Sequence, residues 1–487
     1  MNTSPHSATV SASSSTAEAR LGQQSETVVG ATGDRLGDDT LGARDVQGPR
    51  DLRDAHAETS RDSRRTVLGP DGRRRDPVTW LLWLFVLNIV LQRISVPNIS
   101  IPLTVPITVL WCLAAWRVGI LAIERRRLLL WLSAAAASSV VALPQTLFVE
   151  RPYISVNSWL FWMTMWFPVV FMMSDRSGPT YRRMMRSVTN VGLWLSALSI
   201  TFLVTQLVGI PYRDWLFDIL PDSLHVTGFA ISYPISYGHS IWKSNGWIML
   251  EPSFMSFTLG VCFMTALLTR ARGWKVIMLG LGLITTVAGS GFAIIGLGVI
   301  GMLLCGQGSL LRKYVVPGIV TAAIAVPTAL GQVLLSRVTE VGDTNSSAAL
   351  RSFEPYLYLI PRWVSEPWGV WVGYGAGSSR HAVEASGTDG LIAPTIGKVF
   401  FEYGFFAGAL LVALCVVPFL RPHERALSAT LLLQFILLQP PAQPIIVPAF
   451  AVVTLWAPAP RTYAEAGTED GDEPDPPPFW RRYSRRR

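Results

Sequence analysis

Residues 274–308 read WKVIMLGLGLITTVAGSGFAIIGLGVIGMLLCGQG, with one charge, Lys275, at the start. About 20 apolar residues cross a bilayer, so this stretch predicts two spans, 274–289 and 291–308. Ala288-Gly289-Ser290-Gly291 forms the tight turn between them. Working outward, the same texture predicts spans at 78–93, 101–122, 128–148, 157–174, 187–210, 252–270, 315–335, 395–420, 426–440 and 443–459. The chain of 487 residues carries only 15% charged residues, against roughly 25% in soluble domains. The charge gathers at the ends: residues 1–76 hold 11 Arg and 12 Asp/Glu, and residues 461–487 hold 6 of each sign. The reading is an all-α polytopic membrane protein of about 12 transmembrane helices over 77–460. It has two long external loops and disordered cytoplasmic tails, 1–76 and 461–487. The N-terminal tail is rich in Ser, Ala, Gly, Asp and Arg and lacks the apolar periodicity that could offset chain entropy. It has no signal-peptide pattern.

Charge placement tests the span count. With the N-terminus inside, the short inner loops hold fourteen Lys and Arg, among them Arg125, Arg126, Arg127, Arg182, Arg270 and Lys313. The short outer loops hold only Arg93 and Arg151. This positive-inside bias puts both termini in the cytoplasm of a multi-pass plasma-membrane protein. The net charge of +8 follows from the same bias, which excludes nucleic acid as a partner. The four cysteines all fall inside apolar runs, without metal-ligand spacing. The two long external loops, about 211–250 and 336–394, are too aromatic for disorder and place the working surface outside.

These loops hold cations that the charge bias does not explain: Lys243, Arg337, Arg351 and Arg380. Guanidinium groups bind phosphate oxygens bidentately and stabilise negative charge on a leaving group. Ser346 or Ser347 would cap a short helix on which Arg351, Glu354 and Tyr358 share a face, its length limited by Pro355 and Pro361. In Gly373-Tyr374-Gly375-Ala376-Gly377 the glycine spacing lets backbone N–H groups approach an anion. Glu251, ahead of Pro252, sits at the positive end of a helix among apolar residues, where a carboxylate is costly without a role. Glu402, inside the span that follows the second loop, raises the same question. Ser290 occupies the tight turn.

Three stretches together resemble the O-antigen polymerase and ligase superfamily of bacterial envelope polysaccharide assembly. They are Asn245-Gly246 with Glu251-Pro252-Ser253; Ala288-Gly289-Ser290-Gly291; and Arg351 followed by Gly373-Tyr374-Gly375-Ala376-Gly377 and Glu402-Tyr403-Gly404. The resemblance spans roughly 245–410. Ala393-Pro394 stands where ligases of the group carry a His-Asn-like pair, which favours a polymerase-type member. The resemblance implies an integral membrane glycosyltransferase of extracellular or envelope polysaccharide biosynthesis. It would move a glycan from a polyprenyl-pyrophosphate carrier to an acceptor sugar hydroxyl on the outer face. Arg351 and Glu251 would be catalytic. Lys243, Arg380, Arg337, Ser290, Gly373, Gly375, Gly377 and Glu402 would bind pyrophosphate or glycan. No metal or other cofactor is expected, because the outer loops lack an Asp/Glu/His cluster at ligand spacing. Partners would be the lipid-linked glycan, the bilayer and other polysaccharide-assembly proteins.

The alternative is a multi-span transporter or lipid-linked oligosaccharide flippase. Against it, the midpoint connection Arg270–Lys275 is short, no internal repeat is visible, and charges within the spans are few. The topology has a direct test. Externally applied thiol reagent should label cysteine placed at Leu220 or Ala385, and not at Thr180 or His423. External labelling at 180 would invert the topology.

Overall fold

The computed structural model describes residues 67–68, 74–97, 101–150, 152–226, 231, 233–235, 240–328, 350, 353–388, 391–420 and 422–437. Most of the expected tail 1–76, all of the tail 461–487, the span at 443–459, and Ser346 and Ser347 lie outside them; at the end of the first tail, Val67–Leu68 pairs antiparallel with Arg74–Arg75. The described chain is mostly helical, with short two-stranded pairings. Three helices are long and apolar enough to cross a membrane: Arg125–Phe148, Gly178–Leu207 and Thr395–Val416. Seven shorter apolar helices accompany them among the described residues.

The first half comprises α1 (Pro77–Leu91), α2 (Thr104–Arg117), α3 (Arg125–Val140), α4 (Ala142–Phe148), α5 (Val156–Trp166), α6 (Gly178–Leu207) and α7 (Trp215–Ile219). Asp76 caps α1 by accepting from the Val78 amide at 3.2 Å, and also pairs with Arg183 at 2.5 Å. Helix α6 starts nine residues before the expected span at 187. Asp175 accepts from the Ser177 amide (2.9 Å) and the Thr180 hydroxyl (2.7 Å), and Pro179 occupies the first turn. Arg182, Arg183 and Arg186, expected in a loop, therefore lie on the opening turns of a helix. The apolar run 157–174 is not one helix. Pro168 lies in a 3-10 turn after α5, and Phe171–Met173 then pairs antiparallel with Leu121–Ile123. An apolar run alone does not distinguish a helix from a buried strand.

The second half comprises α8 (Pro252–Leu268), α9 (Gly273–Thr285), α10 (Gly289–Leu304), α11 (Gly308–Arg312), α12 (Val315–Ala325), α13 (Glu354–Ser365), α14 (Pro367–Val372), α15 (Ser378–Glu384), α16 (Thr395–Val416) and α17 (Arg425–Leu437). Helix α8 is the centre of the packing, with almost every residue from Phe254 to Leu267 buried, against α6, α9 and α10. The sharp turn between α9 and α10 falls over Thr286–Ala288 rather than over the glycines. Val287 carries the positive φ of 47°, an uncommon conformation for a β-branched residue. The glycines serve close approach instead. A Cβ on Gly291 would stand 2.2 Å from the Ser256 carbonyl oxygen, and one on Gly260 would stand 2.8 Å from the Gly291 carbonyl oxygen. Ser256 closes the contact, donating to the Ala288 carbonyl at 2.8 Å and accepting from the Gly291 amide at 3.0 Å.

The second long loop also departs from expectation. Helix α13 opens at Glu354 and runs through Pro361 to Ser365, so Pro355 sits in its first turn and Pro361 does not end it. The first long loop is anchored by Arg93, which the charge pattern assigns to a short outer loop. It is buried, pairs with Asp214, and donates to the Trp247 carbonyl at 2.8 Å. Burial comes first among the causes that push the nearby Tyr212 hydroxyl up to about 12.

Because α8 and α10 meet backbone to backbone, a methyl group at Gly291 cannot be absorbed by a side-chain rotation. Gly291→Ala should cost at least about 1–3 kcal/mol through overpacking, visible as a lower thermal midpoint in detergent. Gly296→Ala, where an added Cβ meets nothing within 4 Å, should leave the midpoint unchanged.

Candidate functional site

Helix α16 is broken in its middle. Gly404 takes φ 68° and ψ −172° within an otherwise helical run, which turns the carbonyls of Phe401 and Glu402 away from the helix ladder. Those carbonyls accept from the amides of Tyr374 and Gly375, both at 2.9 Å. On its other edge, the same glycine-rich segment accepts from Tyr153 and Ser155, through the carbonyls of Tyr374 and Ala376, again at 2.9 Å. Residues 374–376 thus run as a strand-like rib between 153–155 and 401–402.

The glycines permit this contact. A Cβ on Gly404 would lie 2.2 Å from the Trp371 carbonyl oxygen, and one on Gly375 would lie 2.4 Å from that of Tyr153. The spacing of Gly373, Gly375 and Gly377 suggested backbone amides approaching an anion. In the structure the amides of Gly373, Tyr374, Gly375 and Ser378 all donate to protein carbonyls. The close approach is of chain to chain.

Glu402 lies along one edge of the rib. It is 1% exposed, and its carboxylate accepts from the Ser379 hydroxyl at 2.5 Å, with the Lys398 ammonium 3.8 Å away. A carboxyl group this deeply buried needs hydrogen-bonding partners. Lys398 stands one turn before Glu402 on α16, so the pair shares a helix face. Ser379 comes from α15, which starts immediately after the glycines. Gln145 of α4 completes the group: its amide nitrogen donates to the carbonyls of Val372 (2.6 Å) and Glu402 (2.9 Å).

A second group forms where α8 and α10 begin. Glu251, 5% exposed, precedes Pro252 and accepts from the Ser253 hydroxyl at 2.8 Å. Ser290, in the first turn of α10, donates to the Ser253 carbonyl at 2.7 Å. Two helix N-termini, each bearing partial positive charge, therefore meet beside one buried carboxylate. Nearby in sequence, the Lys243 ammonium lies 5.8 Å from the Tyr233 ring centroid.

The expected residues thus fall into separate sets. Glu402, Gly373, Gly375 and Gly377 belong to the first group, and Glu251 and Ser290 to the second. Arg380 is on the exposed side of α15. Its Nε donates to Glu384 at 2.7 Å, which holds that carboxyl below the usual carboxylate range. Arg337 and Arg351 lie outside the described residues. Sequence reasoning passed over Gln145 and Ser379, and took Ser253 only as part of the Glu251-Pro252-Ser253 motif. Gln145 did carry a signal, being a polar side chain near the end of the apolar run 128–148. No motif marks Ser379.

If Gln145 holds the rib to the broken helix, replacing it leaves two buried carbonyls without this donor. Gln145→Leu should cost about 1–3 kcal/mol and expose the 373–377 segment to limited proteolysis. An unchanged thermal midpoint would mean that the rib is held without it.

No family model matches the sequence, and no curated protein or solved structure shows significant similarity to it.

Proposed function

We propose that this chain is an integral membrane glycan polymerase or ligase, with polymerase the favoured type. It transfers a polyprenyl-pyrophosphate-linked glycan to an acceptor sugar hydroxyl on the outer face of the plasma membrane. The observation that carries this reading is the joining of two sequence-distant motif stretches. Gly373–Gly377 and Glu402–Gly404, which carry part of the resemblance to the O-antigen polymerase and ligase superfamily, are hydrogen-bonded backbone to backbone beside a buried Ser379–Glu402 pair, with the half-buried Lys398 one turn away. The twelve-span topology with both termini cytoplasmic belongs to the same proposal.

The chemistry is a single displacement. The acceptor hydroxyl oxygen forms a bond to the anomeric carbon as the bond from that carbon to the pyrophosphate oxygen breaks, with inversion. The electron pair leaves with the carrier pyrophosphate, and the hydroxyl proton passes to a base. Glu251, oriented by Ser253 at the paired helix N-termini, is the base or positioning group. Arg351, with Arg380, Lys243 and Arg337, supplies positive charge for the departing pyrophosphate, so no metal is needed. Glu402, Ser290 and the glycine rib shape the binding surface.

The test is polymer formation from a lipid-linked repeat unit by the purified chain in proteoliposomes. Loss of one preorganised cationic contact costs roughly 2.7–4 kcal/mol of transition-state stabilisation, or about 100- to 1000-fold in rate. Arg351→Ala should abolish polymer at normal abundance. Arg351→Lys should remain severely impaired, because it keeps the charge and loses the bidentate fork. Near-normal polymer from a well-expressed Arg351→Ala would end the assignment of that residue. Movement of the lipid-linked glycan across the membrane without elongation would instead identify a flippase.

A further inference from the structure

Helix α13, in the middle of the second long loop, has three distinct sides. At about 100° per residue, Pro355, Leu359 and Trp363 fall on one side. Pro355 and Leu359 are buried, and Trp363 packs near Phe400 with ring centroids 6.0 Å apart. Glu354, Tyr358, Arg362 and Ser365 make a second, polar side. The third side carries Phe353, Leu357, Ile360 and Val364, which are 49%, 66%, 48% and 56% exposed. A helix at a water-bathed protein surface has one apolar side, turned inward. This one has two.

The outward stripe does not end with α13. Trp368 and Trp371 on α14 are each 47% exposed. Trp368 stacks on Phe148 at the end of α4 (4.5 Å), and Trp371 stacks on Phe406 of α16 (5.4 Å). Phe148 and Phe406 belong to two of the helices long and apolar enough to cross a membrane. In the Arg125–Phe148 helix only 17% of the apolar window is buried within the protein. The apolar surface of α13 and α14 is therefore continuous with the outer surface of these helices. Its Trp and Phe composition is that of an interfacial aromatic belt. Arg362, exposed on the polar side, has its guanidinium 5.6 Å from the Tyr374 ring centroid.

We infer that α13 and α14 lie in the outer-leaflet interface, with the Phe353–Leu357–Ile360–Val364 stripe in contact with lipid acyl chains. The second long loop is then partly a membrane-embedded element rather than wholly an aqueous one. Through Tyr374, whose hydroxyl donates to the Arg362 carbonyl at 2.6 Å, this lipid-facing helix connects directly to the glycine rib. The inference rests on Arg125–Phe148 and Thr395–Val416 being spans, and it requires no particular chemistry.

Nitroxide labels on single introduced cysteines test it, using full-length chain with Cys305→Ser, whose other native cysteines are buried, in phosphatidylglycerol–phosphatidylcholine liposomes. The probes are relaxation by molecular oxygen, which partitions into lipid, and by a water-soluble nickel chelate. Labels at 357, 360 and 364 should be strongly relaxed by oxygen and shielded from nickel by at least several-fold relative to a label at 384. A label at Arg362 should give the nickel-accessible reading. Position 132 on α3, where Leu132 is 48% exposed, reports the span reading independently. Nickel accessibility at 357, 360 and 364 with a lipid-exposed 132 would overturn the interfacial placement alone. Nickel accessibility at 132 as well would overturn the span reading beneath it. Polymer assays are not involved, so failure of the proposed chemistry would leave this result standing.

Discussion

The break of one helix at Gly404 is the constraint on which the site depends. An apolar helix satisfies its own backbone, and a carbonyl freed from the ladder in an apolar environment must find another donor. Here two freed carbonyls, of Phe401 and Glu402, are met by Tyr374 and Gly375, and Gln145 supplies a further donor to Glu402. Only glycine at 404 and 375 lets the chains come this close. Once the rib is seated, Ser379 follows two residues after its last glycine and reaches the Glu402 carboxylate. The same break that frees the carbonyls therefore also positions the partner of the buried carboxyl group.

A similar economy operates at the second group. Gly260 and Gly291 bring α8 and α10 into backbone contact, which brings their N-termini together. Glu251, the residue preceding α8, then stands beside Ser253 and Ser290 without any long side chain reaching across. In both places small residues set the separation of the backbones, and the polar side chains occupy what that separation leaves. Burial of Glu251 and Glu402 is supported by hydroxyl donors, and for Glu402 also by a cation one turn away, which offsets the cost of desolvation.

The helical, apolar character of the chain was readable directly, because it depends only on composition and run length. Break positions were harder. Ala288-Gly289-Ser290-Gly291 marks the right turn, yet the strained residue is Val287 and the helix resumes at Gly289. In 157–174 the apolar run conceals a helix, a turn and a strand, because hydropathy does not report which backbone groups pair. The glycines at 373–377 were singled out for approach to an anion, and the structure shows them in approach to backbone, a difference that sequence spacing does not report. Ser379 was invisible for the same reason: its partner is 23 residues away and is brought in by a fold-level break.

The three-sided character of α13 shows what burial adds to periodicity. Read as sequence, Leu357, Ile360 and Val364 are an ordinary amphipathic stripe, and such a stripe turns toward the protein core. The structure turns Leu359 and Trp363 inward instead and leaves the stripe outside. Exposed Leu, Ile, Val, Trp and Phe on adjoining elements form a larger apolar area than scattered surface residues account for. That area joins the outer surface of helices whose own composition calls for lipid. A loop segment that would be anomalous in water becomes consistent once its solvent is taken to be the edge of a bilayer, with protein on one flank, acyl chains on another, and Arg362 at the boundary.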